Sequence, residues 1–278
     1  MYNKGDFHIH SNFSDGKFGV REILDLYKKS EYDIISITDH DTLEGCMEAI
    51  EYGKLIGLKV ITGIEISTKH NGEEVHILGY FKDEDCRRGE MLEFSNKKEQ
   101  DRVNRSKTIV SSLKKHFNIH INVEELLAKN KGMIGRPHIA KEIIKAGYET
   151  DINEVFRKYL GDDSPAYVPS SILSVQEGIN LLKNNNATIV LAHPVLIKKT
   201  KIEDLLNEFE FDGMEAIYGL NTQNDTNKFI DMCKRHNILI TGGSDFHDFN
   251  VANHSNIGDI SLDTENIENL LEFIGCKL

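Results

Sequence analysis

The chain has 278 residues, with 33 basic and 45 acidic side chains, a formal net charge of −12 and four cysteines. That length permits one large domain, or a barrel carrying a smaller insertion, and the acidic balance argues against a broad basic face for nucleic acid. No run approaches the roughly 20 apolar residues that span a bilayer, no signal-peptide pattern precedes the first strand-like run, and Cys46, Cys86, Cys233 and Cys276 form no Cys-x-x-Cys pair, so the expectation is a cytoplasmic protein with no membrane partner, no disulfide and no thiolate metal site.

Taken in chain order, residues 6–10 open the first strand-like run, and Val20, Ile23, Leu24 and Tyr27 then fall on one helical face. Runs at 33–40, 60–65 and 75–79 continue an alternation of strands and helices that suits a parallel sheet. From about residue 90 to 165 the strand signals give way to helix punctuation. Asn122 with Glu125 and Asp151 with Glu154 read as capping boxes, and Pro137 suits the first turn of a helix that ends near Gly147. Ser174 with Glu177 and Thr200 with Glu203 read as further boxes, and the strand runs resume at 188–193, 213–218 and 238–247. The expected organisation is a barrel over 1–89 and 166–278 with a helical insertion over 90–165.

Nine residues able to ligate a metal lie almost all at ends of these apolar runs, mostly carboxyl ends: His8, His10, Asp15, His40, Glu65, His76, His193, Asp245 and His247. Residues two apart on a strand face the same side, so His8 and His10 can enter one site. Carboxylates are seldom buried without a partner, and active sites of β/α barrels gather at the carboxyl ends of strands. The pattern therefore predicts a multinuclear metal centre and an enzyme. Imidazole and carboxylate donors without thiolate favour manganese, with iron(II) or zinc as alternatives, over an all-oxygen calcium cage. Two or three divalent ions suit hydrolysis of a phosphoester by attack of an activated hydroxide at phosphorus, with Glu65, His193 and Asp245 at the catalytic heart.

The segments His8-x-His10, Asp15-Gly16, Thr38-Asp39-His40, Gly63-x-Glu65, His76, Ala192-His193-Pro194 and Gly243-Ser244-Asp245-x-His247 resemble, over essentially the whole chain, the PHP family, named for polymerases and histidinol phosphatases. The resemblance implies a distorted seven-stranded β/α barrel, TIM-like, with a helical insertion domain and up to three metals at its rim. It assigns His8, His10, Glu65 and Asp245 to a first ion, Glu65 with His76 and His193 to a second, and Asp15, His40 and His247 to a third. The segments around Gly135-Arg136-Pro137-His138, Phe156-Arg157-Lys158 and Ala166-Tyr167-Val168 resemble the branch that removes the 3′-phosphate of nucleoside 3′,5′-bisphosphates, whose relatives trim RNA from the 5′ end.

That branch implies a small nucleotide or short oligoribonucleotide as partner, and it disfavours stable binding of duplex nucleic acid. Arg136 and His138 at a helix start suit a phosphate, and Arg157 and Lys158 are further candidate contacts. Histidinol-phosphate hydrolysis is the nearest alternative. A non-catalytic PHP scaffold is a rival of another class, and an amidohydrolase a third, disfavoured because no strand end presents a lysine. Asp39 and Asp41 either orient ligands or cap a helix near Thr42. His70, His116, His120, His236 and His254 read as non-catalytic, and Glu215 and Tyr218 could line the pocket, although a place outside it is the favoured reading. The sequence carries no signal for an oligomeric state.

Overall fold

Residues 2–82, 89–129, 134–249 and 254–276 are described by a computed structural model of the chain. Its elements in order are β1 (Gly5–Asp6), α1 (Val20–Lys29), β2 (Ile34–Ile37), α2 (Glu44–Ile56), β3 (Lys59–His70), β4 (Glu73–Phe81), α3 (Gly89–Phe117), α4 (Val123–Lys129), α5 (Arg136–Lys145), α6 (Ile152–Val155), β5 (Leu173–Ser174), α7 (Val175–Asn184), β6 (Thr188–Leu191), α8 (Ile202–Glu208), β7 (Gly213–Tyr218), α9 (Gln223–His236), β8 (Leu239–Gly243) and α10 (Thr264–Ile274). They form two compact units, Met1–Glu93 with Ile172–Leu278, and Phe94–Ser171.

The first unit is a ring of seven strands in the order β1-β2-β3-β4-β6-β7-β8, with β5 paired to β3 outside that path. Three hydrogen bonds draw its two ends together: Phe7 N–H donates to Gly242 O (3.2 Å), Asp245 N–H to His8 O (2.8 Å) and His10 N–H to Phe246 O (3.0 Å). The barrel is distorted because β4 runs antiparallel to both neighbours. The cause is local: His70 pairs with Glu73 across Asn71-Gly72, whose backbones both lie in the left-handed region (φ 49° and 78°), as a two-residue hairpin turn requires. The reversal brings His76, near the amino end of β4, to the rim where the parallel strands present their carboxyl ends.

Two apolar clusters support this rim. Ile9, Ile23, Leu24, Tyr27, Ile35 and Ile37 are buried in one, and Phe7, Ile34, Leu78, Tyr80, Val190 and Leu270 in the other. The predicted face of α1 is the observed one, with Val20, Ile23, Leu24 and Tyr27 buried. The Ser174–Glu177 box is formed. The Thr200–Glu203 box is not: α8 starts at Ile202 after Lys201. Thr200 donates its N–H to Glu73 (2.8 Å), and Glu203 binds Arg235 and His236.

The second unit is helical around its own core of Ile109, Leu113, Leu126, Ile139, Ile143, Val155 and Leu160. Asn122 caps α4 through Glu125 N–H (3.2 Å), Asp151 caps α6 through Asn153 and Glu154, and Pro137 lies in the first turn of α5, which stops before Gly147 at φ 80°. Among the described residues no helix is long and apolar enough to cross a membrane. Cys46 and Cys233 are buried and Cys276 half-buried, none of them in a disulfide among the described residues, and Cys86 lies outside the described residues.

Candidate metal centre

Glu65 is buried in the middle of β3, and its two oxygens divide five imidazoles between them. Oε2 lies 3.2 Å from His8 Nε2, 3.1 Å from His10 Nε2 and 3.2 Å from His40 Nδ1. Oε1 lies 2.9 Å from His76 Nδ1 and 3.0 Å from His193 Nε2. Sheet register sets this up. Glu65 faces Leu78 and Ser67 faces His76 across the β3–β4 ladder, which makes Glu65 and His76 diagonal neighbours on one face. His40, past the end of β2, keeps the parallel register through a bridge to Glu65.

Asp245 closes the other side. Its Oδ1 lies 3.4 Å from His8 Nε2 and 3.1 Å from His10 Nε2, and its Oδ2 accepts from Tyr218 O–H (3.0 Å). Asp15, about half-exposed, reaches His247 Nε2 (3.1 Å), His10 Nδ1 (3.5 Å) and His40 Nε2 (3.8 Å). His193 and Asp245 hold left-handed backbone, φ 23° and 54°, a costly conformation for a residue with a Cβ that clusters at functional sites.

A neighbouring layer of side chains aims these groups. Glu215, buried in β7, meets His8 Nδ1 with both oxygens (3.1 and 3.2 Å) and accepts the His193 N–H (2.7 Å). With Nδ1–H held there, the lone pair of His8 lies on Nε2 and points at Glu65 and Asp245. Asp39 accepts from Ser11 N–H (2.7 Å), Ser11 O–H (2.6 Å) and Ser14 O–H (2.5 Å), fixing the turn that carries Asp15. Asp41 accepts from Ser67 N–H (3.0 Å) and donates its own N–H to Glu65 O (2.8 Å). Neither aspartate caps α2, which begins at Glu44 after Leu43. Glu215 and Tyr218 therefore belong to the site, contrary to the sequence expectation, and so does His254, whose Nδ1 is 3.2 Å from Asp245 Oδ2. His70, His120 and His236 are placed beside Glu208, Asn118 and Glu203 respectively.

Burial disfavours every charge here, and each group answers to its neighbours. Burial alone would lower His8, but Glu215, Glu65 and Asp245 raise its imidazole well above the usual value. Desolvation of His10 is likewise overcome by Asp245 and Glu65, which raise it to about 10. Desolvation dominates at His40, which falls to about 4 despite Glu65 and Asp15. Against desolvation, Glu65, Asp245 and the half-exposed Asp15 are pulled well below the carboxylate range by the surrounding imidazoles. A buried cluster with this much carboxylate charge needs cations, which protons on His8 and His10, or metal ions, can supply.

The donor set fits metal ions. Glu65 Oε2, although ringed by imidazole nitrogens, and His193 Nδ1 are buried with no hydrogen bond of good geometry among the described residues. His8 Nε2 and His10 Nε2 face one another at 3.1 Å, a gap that a shared proton or a metal ion can fill. Three sets of donor atoms from the nine residues each lie within 4.8 Å of one another: His8, His10, Glu65 and Asp245; His40, Glu65 and His76; and His10, Asp15, His40 and His247. His193 reaches the centre through Glu65 Oε1, and His10 stands in two of the sets.

The four residues expected to contact substrate lie in the second unit. Arg136 Nη1 donates to Leu160 O (3.1 Å) and pairs with Asp162 (2.7 Å). Arg157 pairs with Glu154 (2.6 Å), and Lys158 with Glu149 and with Glu154 (3.4 Å). His138 Nδ1 accepts the Gly135 N–H (3.1 Å) at the start of α5.

Comparison with known proteins gives a consistent answer. The model of the PHP domain matches residues 6–162, more than half of the sequence. A 3′,5′-nucleoside bisphosphate phosphatase of Chromobacterium violaceum is 29% identical over 87% of this chain and 86% of its own length. A 5′-3′ exoribonuclease of Haemophilus influenzae is 27% identical over 89% and 91%. Among solved structures, a protein of Bifidobacterium adolescentis described as a candidate metal-dependent phosphoesterase superposes with a TM-score of 0.80, at 27% identity, covering 97% of this chain and 96% of that one. On the family match, the relatives and the fold together, this chain belongs to the PHP family and is a phosphoesterase, a hydrolase with a side-chain cluster able to hold metal.

Proposed function

We propose that this enzyme removes the 3′-phosphate of nucleoside 3′,5′-bisphosphates, such as adenosine 3′,5′-bisphosphate, and trims short oligoribonucleotides from the 5′ end, with manganese in its centre and in the cytoplasm. The observation that carries the chemistry is the buried Glu65 carboxylate shared by five imidazoles. His8, His10, Glu65 and Asp245 would hold one ion, Glu65, His76 and His193 a second, and Asp15, His40 and His247 a third. Bound there, the ions supply Lewis acidity toward water and phosphoryl oxygens.

The chain's own residues do the rest. Glu215 orients His8 and His193, Tyr218 holds one oxygen of Asp245, and the ring of imidazoles and carboxylates sets out fixed charges before substrate arrives. The substrate class rests on the two relatives, whose names are a bisphosphate phosphatase and an exoribonuclease. A structural neighbour from C. violaceum described as an amidohydrolase, 28% identical, with a TM-score of 0.74 and 88% of each chain covered, carries bound sulfate, a tetrahedral oxyanion shaped like phosphate.

Arg136, with His138, is proposed to take the substrate's other phosphate. Asp162, its present partner, is largely exposed, and an exposed ion pair is worth about 0–1 kcal/mol, so a phosphate dianion can displace it. Arg157 would give up Glu154 on the same terms, and Lys158 would exchange its glutamate partners for the phosphate.

A substrate panel tests the reading: manganese-loaded enzyme is offered adenosine 3′,5′-bisphosphate, a short 5′-phosphorylated RNA and histidinol phosphate. Turnover of the first two supports it, and turnover of histidinol phosphate alone moves the chain to that rival activity.

A further inference from the structure

Asp245 uses its two oxygens differently. Oδ1 faces His8 and His10, while Oδ2 is turned away to Tyr218 O–H at 3.0 Å and His254 Nδ1 at 3.2 Å. The His254 ring also lies 4.0 Å from the His247 ring at an interplanar angle of 28°, and His247 in turn stacks on His10 at 4.0 Å and 19°. His254 thus ends a three-imidazole stack that begins at the centre, with its side chain a quarter exposed.

We infer that His254 is a positioning residue of the metal centre: it donates Nδ1–H to Asp245 Oδ2 and so keeps Oδ1 toward the donor set formed with His8, His10 and Glu65, while its ring braces His247. The chemistry follows from the hydrogen bonds. A carboxylate free to rotate offers either oxygen to a cation, whereas one whose outer oxygen is held by two donors offers only the inner one. His247 is fixed in the same manner, since its Nδ1 sits 2.8 Å from its acceptor, Asp245 O, and leaves Nε2 for Asp15. Outer partners of this kind are worth about 10- to 100-fold in metal affinity. The inference rests on the metal-centre reading but not on the choice of substrate.

The test uses manganese alone. Binding to the full chain is followed by the electron paramagnetic resonance signal of bound Mn2+ and by metal content after dialysis, for wild type and for His254→Ala, His254→Asn and His254→Gln. Asparagine places an N–H where Nδ1 stands, and glutamine places its amide where Nε2 stands. The expected result is a loss of about 10- to 100-fold in affinity for one ion in the alanine and glutamine variants, with asparagine near wild type. Wild-type binding in the alanine variant would overturn the assignment. Equal losses in all three would replace it with direct ligation by His254. If alanine does not fold, the asparagine and glutamine pair still decides. Because no substrate is present, either result leaves the bisphosphate reading to be judged separately.

Discussion

Glu215 meets His8 Nδ1 with both of its carboxylate oxygens, at 3.1 and 3.2 Å, and with one of them also takes the His193 N–H at 2.7 Å. One buried acid on β7 thereby fixes two donors that follow different strands, His8 after β1 and His193 after β6. Replacing Glu215 with alanine is expected to weaken metal binding by about 100-fold, and with glutamine by about 10-fold, the range for lost outer partners. Metal content after dialysis against graded chelator measures this, and wild-type retention in Glu215→Ala would show that His8 and His193 need no such support.

The closeness of β8 to His8 carries a second expectation. A Cβ on Gly243 would stand 2.3 Å from His8 Cβ, 2.7 Å from His8 N and 2.9 Å from Glu215 Oε1. No side-chain rotation relieves the backbone contact, so Gly243→Ala should cost at least the about 1–3 kcal/mol of an overpacked core. A thermal midpoint equal to wild type would contradict the packing described.

A third expectation concerns pH. Glu73 accepts backbone N–H groups from Lys198 (2.6 Å), Lys199 (2.8 Å) and Thr200 (2.8 Å), pinning the loop that follows His193. Partial burial opposes the charge, but those three donors lower the carboxyl to about 2 from an ordinary 4.5. A depressed acid stabilises the fold above its unfolded value and loses that contribution as pH falls toward the folded value. The stability gap between wild type and Glu73→Gln should therefore be full above about pH 4.5 and shrink toward pH 2. Thermal midpoints across that window measure it, and a gap that widens on acidification would contradict the assignment.

Much of this architecture could be read from the residues. The runs ending in His10, His40, His193 and His247 mark a rim, because charged groups at the ends of apolar strands need a reason to be there. The reversal of β4 is also legible in the chain, as Asn71-Gly72 between two apolar runs, although the alternation of strands and helices around it suits a parallel sheet. Glu215 was legible in principle as an acid between the apolar residues Met214 and Ala216 of β7. His254 was not, since it lies in a loop seven residues after His247 with no periodicity to place it. Thr200 failed as a cap because Glu73, distant in sequence, claims its N–H.

Substrate recognition supplies a fourth expectation. Arg136→Ala should raise KM for a nucleoside bisphosphate several-fold, and lower kcat as well only if that contact strengthens in the transition state. Arg157→Ala, which first breaks an exposed pair with Glu154, should have a smaller effect. Steady-state kinetics on folded variants distinguish them, and unchanged kcat/KM in Arg136→Ala would remove that residue from substrate binding.

The most direct measurement follows adenosine 3′,5′-bisphosphate by phosphorus NMR with manganese-loaded enzyme, chelator-stripped enzyme and Glu65→Gln. Formation of adenosine 5′-phosphate and inorganic phosphate by the loaded enzyme, restored to the stripped enzyme by manganese and absent in the variant, is the predicted result. Equal turnover by Glu65→Gln, or release of the 5′-phosphate instead, would contradict a centre built on Glu65 that cleaves the 3′-phosphate.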